Sequence, residues 1–100
     1  MPRRLDAEEI TRQLADLDGW SGTPDGLHRT VEAADFPEAI AIVDDLAEAA
    51  EEMNHHPDID IRWRTVELTQ VTHAAGGVTQ LDIEMAHRID AIVRAHRLAG

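Results

Sequence analysis

The stretch from Asp35 to Met53 limits what this chain can fold into more than any other. Asp35 is a good N-cap, Pro37 is tolerated in the first turn of a helix, and Glu38 stands three positions after the cap. Phe36, Ala39, Ile40, Val43, Ala47 and Ala50 then recur at helical spacing. Ile42, Leu46, Ala49 and Met53 widen that stripe to roughly half the circumference, at about 100° per residue. A surface helix covering one core needs a narrower stripe. One flank is therefore expected to lie on the chain's own sheet and the other against a second subunit. The helix should stop near Asn54, because Pro57 disfavours a helical His56.

The flanking segments read as shorter elements. Asp6 to Asp18 is expected to be a helix, with Asp6 and Glu9 forming a capping box and Ile10, Leu14 and Leu17 its apolar stripe. Gly19 would stop it. The turn-forming run SGTPDG then joins two strands, Trp20-Ser21 and Leu27 to Ala33, with Leu27, Arg29 and Val31 facing away from His28, Thr30 and Glu32. After the long helix, Ile59, Ile61 and Trp63 alternate with Asp60, Arg62 and Arg64, which reads as a strand exposed on one face. Val66 to His73 reads as its hairpin partner. AAGGVT is a turn, and Thr79 with Asp82 begins a last helix to about Leu98, with Met85, Ile89, Ile92, Val93 and His96 inward. The order α-β-β-α-β-β-α gives one α+β domain over residues 1–100, with helices on one face of an antiparallel sheet.

Composition excludes several functions. The formal net charge is −11, and every basic residue is arginine. Such a chain repels phosphate backbones and anionic lipid, so neither nucleic acid nor membrane is an expected partner. Its apolar stretches are too broken to span a bilayer. The opening MPRRLDAEEI lacks the apolar segment of a secretory leader, and a cytoplasmic protein is expected. With no cysteine, thiolate catalysis and Cys-based zinc sites are out.

Candidate chemistry converges between residues 51 and 82. His55 and His56 stand side by side on a helix-to-strand connection, where side chains can point at a cleft. His73 stands where a strand gives way to a glycine turn. Counted from Ile89, Asp82 falls within roughly 20° of the centre of its helix's apolar stripe. It either completes a capping box with Thr79 or is a buried acid in need of a partner. Three histidines and an aspartate could bind zinc, but adjacent histidines seldom ligate one ion and no HExxH or His-x-His spacing is present. Without metal, clustered imidazoles suit general acid–base catalysis. Ser21, the only serine, lies far along the chain, which leaves a Ser-His-Asp triad unsupported.

The spaced set Glu51-x-x-x-His55-His56-Pro57, Trp63, His73 and Asp82 resembles the signature of the pterin-4a-carbinolamine dehydratases. LDGW, NHHPD, THAAGGVTQLD and IDAI resemble family positions too, so the likeness runs from about Leu5 onward. It implies a four-stranded antiparallel sheet with three helices, and a homodimer or homotetramer with the helix Phe36–Met53 at a subunit contact. The implied reaction removes water from 4a-hydroxytetrahydropterin, without metal or organic cofactor, and recycles the pterin of aromatic amino acid hydroxylases. On this resemblance His55 and His73 move protons, His56 binds and orients the pterin, Asp82 fixes an imidazole, and Glu51 and Trp63 are further substrate contacts. Leu81 departs from relatives that carry a basic residue there. Two alternatives share the fold: a regulatory partner that dimerises with a transcription factor, and a dehydratase-like role in molybdopterin metabolism.

Overall fold

Asp6 accepts the Glu9 N–H at 2.8 Å while Glu9 accepts the Asp6 N–H at 3.1 Å, so the expected capping box starts the first helix. The computed structural model describes residues 3–99; the ends of the expected domain, residues 1, 2 and 100, lie outside it. Helix α1 spans Ala7–Leu14, shorter than the reading to Asp18. Beyond Leu14 the bonds tighten: Asp16 N–H donates to Gln13 O and Leu17 N–H to Leu14 O. Gly19 then turns the chain at φ +85°.

Strand β1 is Trp20–Thr23 and β2 is Gly26–Glu32. Trp20 pairs with Arg29 and Thr23 with Gly26, which leaves only Pro24-Asp25 in the turn. The run SGTPDG is thus mostly strand. Gly22 is required there, since a Cβ would stand 2.6 Å from Gly26 O.

Helix α2 is Phe36–Met53, and Asp35 caps it by accepting the Glu38 N–H at 2.9 Å. Its wide apolar arc divides in two: Ala39, Ile42, Leu46, Ala49 and Ala50 are buried, while Phe36 and Ile40 are 48% and 36% exposed.

Strand β3 is Asp58–Arg62 and β4 is Thr65–Gln70, joined by the two-residue turn Trp63-Arg64. Trp63 is therefore not a strand residue, contrary to the alternation read above. It sits in the left-handed region at φ +54°, because so short a hairpin turn demands positive φ. The second half of this hairpin is also shorter than expected. β4 ends at Gln70, and His73 opens a single 3-10 turn, His73–Ala75, instead of closing a strand. An isolated Thr72–Gly77 bridge supports that turn.

Helix α3 is Gln80–Ala99. The four strands form one antiparallel sheet in the order β1-β2-β4-β3. Leu27, Val31, Val66 and Leu68 are buried on one face, beside Leu46, Met85, Ile89 and Val93 from α2 and α3. Each such aliphatic side chain contributes about 1.5–3 kcal/mol by leaving water. His28, Thr30, Glu32 and Glu67 face solvent on the other side. The expected α+β architecture, with its helices on one face, is the one observed. Among the described residues, no helix is long and apolar enough to cross a membrane.

Candidate active site

The end of α2 delivers the first two histidines. Asn54 takes the left-handed conformation at φ 49°, its N–H donates to Glu51 O, and the His55 N–H donates to Ala50 O at 3.0 Å. These are the bonds of a Schellman ending, for which Asn is a good substitute for glycine. The turn sends His55 inward, to 8% exposure, and leaves His56 outside. Adjacent side chains so come to have opposite environments.

Asp82 meets His55 from α3. The His55 Nε2 lies 2.5 Å from Asp82 Oδ1. The other oxygen, Oδ2, accepts the Thr72 hydroxyl at 2.8 Å and the Thr79 N–H at 2.9 Å. Because the Thr72 proton is committed to Asp82, the Thr79 hydroxyl donates to Thr72 Oγ1, at 2.8 Å. Of the two sequence readings of Asp82, the buried acid with a partner holds. The capping box with Thr79 forms only in its carboxylate half, since the Asp82 N–H donates to Thr79 O and the Thr79 hydroxyl accepts the Leu81 N–H. One oxygen completes the helix start and the other takes the imidazole. Asp82 has no exposed surface, and burial of a carboxylate is tolerable only with such a full set of partners.

This pairing has a chemical consequence. A carboxylate only accepts, so a neutral His55 carries its proton on Nε2 and leaves Nδ1 as a free acceptor. His56 Nε2 lies 2.5 Å from Glu51 Oε2, and both side chains are exposed. His73 directly follows Thr72, the residue bonded to Asp82, and is exposed. The structure thus joins His55 to Asp82 and His56 to Glu51, and sets His73 one residue from the same network. It does not bring Trp63 there. Trp63 closes the far end of the β3–β4 hairpin, five residues from Asp58, or about 16 Å at about 3.3 Å per residue.

Two features escaped the sequence reading. Thr72 and Thr79 complete the Asp82 network, and nothing in a threonine at a strand end announces this. Asp90 forms a second buried acid site: its Oδ1 accepts the Trp20 indole N–H at 2.8 Å and pairs with the Arg29 guanidinium. An arginine on the apolar face of β2 was the available signal.

A groove of about 480 Å³ runs between α2 and α3, and none of its lining residues belongs to the histidine cluster. It is crossed by His96–Asp45 at 2.6 Å and Arg88–Glu52 at 2.5 Å. Among the described residues, no three of His, Asp and Glu are grouped so as to hold a metal ion.

The site of this α+β domain is thus a buried imidazole–carboxylate pair, with His56 and His73 each next in sequence to a residue of its network. The profile of the pterin 4 alpha carbinolamine dehydratases matches residues 3–92, and the chain belongs to that family. A Nocardia farcinica protein, provisionally named a pterin-4-alpha-carbinolamine dehydratase, is 54% identical over 90% of this chain and 95% of its own length. A Brucella melitensis crystal structure, described as a transcriptional coactivator/pterin dehydratase, aligns with TM-score 0.87 and 34% identity over 91% of this chain and 99% of its own. A pterin dehydratase-like protein described as a RuBisCO assembly factor of the alpha-carboxysome aligns less closely. Its TM-score is 0.61 and its identity 25%, over 74% of this chain and 86% of its own.

Proposed function

We propose that this protein dehydrates 4a-hydroxytetrahydropterin to quinonoid dihydropterin by histidine general acid–base catalysis, in the cytoplasm, with no metal or organic cofactor. The observation that carries the reading is the His55–Asp82 pair, with its 2.5 Å contact and fully bonded carboxylate. In the reaction a base takes the proton on the ring nitrogen beside carbon 4a. The nitrogen–carbon double bond forms, the carbon–oxygen bond breaks, and an acid gives the departing hydroxyl the proton that makes it water. His55 and His73 share these two transfers. Asp82 holds the His55 ring in one tautomer and balances its charge when it is protonated. His56, steadied by Glu51, orients the pterin.

The natural setting is the recycling of the pterin used by aromatic amino acid hydroxylases, and a homodimer or homotetramer built on the exposed flank of α2 is the working form. Absorbance-monitored dehydration of chemically prepared 4a-hydroxytetrahydropterin tests the reading. Wild-type protein should exceed the uncatalysed rate by orders of magnitude, and His73→Ala should lose at least tenfold without unfolding. A wild-type rate equal to the uncatalysed one would leave a binding role as the function of this fold.

A further inference from the structure

Strand β4 ends on a residue that the core does not call for. Along it Val66, Leu68 and Gln70 are buried while Glu67 is exposed, so Gln70 faces the helices. It has no exposed surface, and neither its Nε2 nor its Oε1 has a hydrogen-bond partner among the described residues. The other buried polar side chains, His55, Thr72, Thr79, Asp82 and Asp90, are all bonded. A buried amide without partners is unfavourable. A leucine here, across from Leu27 and two residues after Leu68, would carry no such cost.

Its place in the fold supplies a reason. The β3–β4 ladder ends at Asp58 with Thr69, and Pro57, next along, has no N–H to extend it. Beyond that pair the two segments part. One carries His55 and the other Thr72, and Asp82 is bonded to both. Gln70 is the first residue of β4 past the end of this ladder. It lies two residues, about 7 Å along the chain, before Thr72, and both side chains are buried.

Donors and acceptors in this corner are complementary but unjoined. Gln70 offers two N–H donors and a carbonyl, none of them used. His55, with its proton on Nε2, offers Nδ1 as an acceptor. No bond joins the two residues directly. Water both accepts and donates, and buried water commonly links polar groups left in this way. We propose that Gln70 holds a water in the floor of the site, which accepts from Gln70 Nε2 and donates to His55 Nδ1.

Asp82 then fixes one nitrogen of the His55 ring and the water fixes the other. A proton passes between His55 and the pterin through this water, which gains one as it gives one. Gln70 is a positioning residue in this scheme, since it orients the water and touches no substrate. That role rests on the dehydratase reading; the water site itself does not.

Gln70→Leu in the full chain tests both parts. It removes every polar atom at a similar volume, so it should fold with a melting temperature close to that of wild type. Gln70→Met, unbranched like glutamine, should behave alike. A crystal structure of the wild type that shows ordered solvent should hold a water bonded to both Gln70 Nε2 and His55 Nδ1, and the variant should lack it. In isotope-labelled protein the nitrogen resonance of His55 Nδ1 should move downfield in Gln70→Leu, as an acceptor nitrogen does on losing its hydrogen bond. The kcat for dehydration should fall about tenfold with KM little changed, the usual scale for a group that orients a reacting one. No water on Gln70 in the wild type, or an Nδ1 resonance unmoved in the variant, overturns the proposal. So does a variant that gains stability and keeps the wild-type kcat. A wild type without dehydratase activity counts against that reading alone, and the crystal and resonance results still decide the water site.

Discussion

Asp82 and Asp90 are both buried carboxylates of α3, eight residues apart, and their partners divide their roles. Asp90 holds the Arg29 guanidinium and the Trp20 indole N–H, one group from each of the first two strands. Neither partner gives up a proton near neutral pH, so this cluster can only tie the sheet to the helix. Asp82 instead holds an imidazole, which has a second nitrogen left over for chemistry. Burial of an acid marks both places, and the titratable partner marks only one.

The largest expected effect is on catalysis at the first site. His55→Ala should lower kcat/KM for dehydration by about 10²- to 10⁴-fold, the usual contribution of a positioned acid–base group, while near-UV circular dichroism stays native. The second site should respond in the opposite way. Asp90→Ala strands a buried guanidinium and should cost about 3–5 kcal/mol in urea unfolding, with activity per folded molecule nearly unchanged.

A smaller effect probes how the Asp82 network is held. Thr72→Val removes one of the donors to Oδ2 and should cost about 1–3 kcal/mol, with a loss of activity well short of that in His55→Ala. If stability falls and activity does not, Thr72 serves the fold alone.

The smallest effect lies away from both sites. The Arg3 guanidinium, hydrogen-bonded to Glu9, holds its carboxyl down at about 2 instead of the usual 4.5, aided by the Asp6 N–H. A lowered folded-state value means that this contribution is present above pH 4.5 and is lost as pH falls through about 2. In the wild type one component of the Asp6 amide shift should therefore titrate with a midpoint near 2, and Glu9→Gln should remove that component.

Much of this contrast was legible in the residues, because it rests on periodicity and capping. The Asp6/Glu9 box, the Asp35 cap and the inward setting of Asp82 all follow from local spacing. The split of the α2 arc was readable for the same reason. A subunit contact on its exposed flank would involve a second chain, which one sequence does not show. Trp63 was misread because Ile59, Ile61 and Trp63 keep the two-residue period through a turn that has no glycine, asparagine or proline to announce it. His73 was placed on a strand because Val71 and Thr72 are good strand residues, although the bridge to Gly77 had already taken over. The Trp20–Arg29–Asp90 cluster joins residues 61 and 70 positions apart, beyond any local pattern.

The division between the two acids is tested most directly by making the same substitution at each. Asp82→Asn and Asp90→Asn should be compared in the 4a-hydroxytetrahydropterin assay, at a temperature where both are folded. An amide at position 82 can donate to His55 Nε2 and so reverse the tautomer that leaves Nδ1 free. The expected result is a loss of about a hundredfold or more in kcat for Asp82→Asn, with Asp90→Asn within a few-fold of wild type. Equal rates in the two variants, or a greater loss in Asp90→Asn, would contradict the assignment of catalysis to the His55–Asp82 pair.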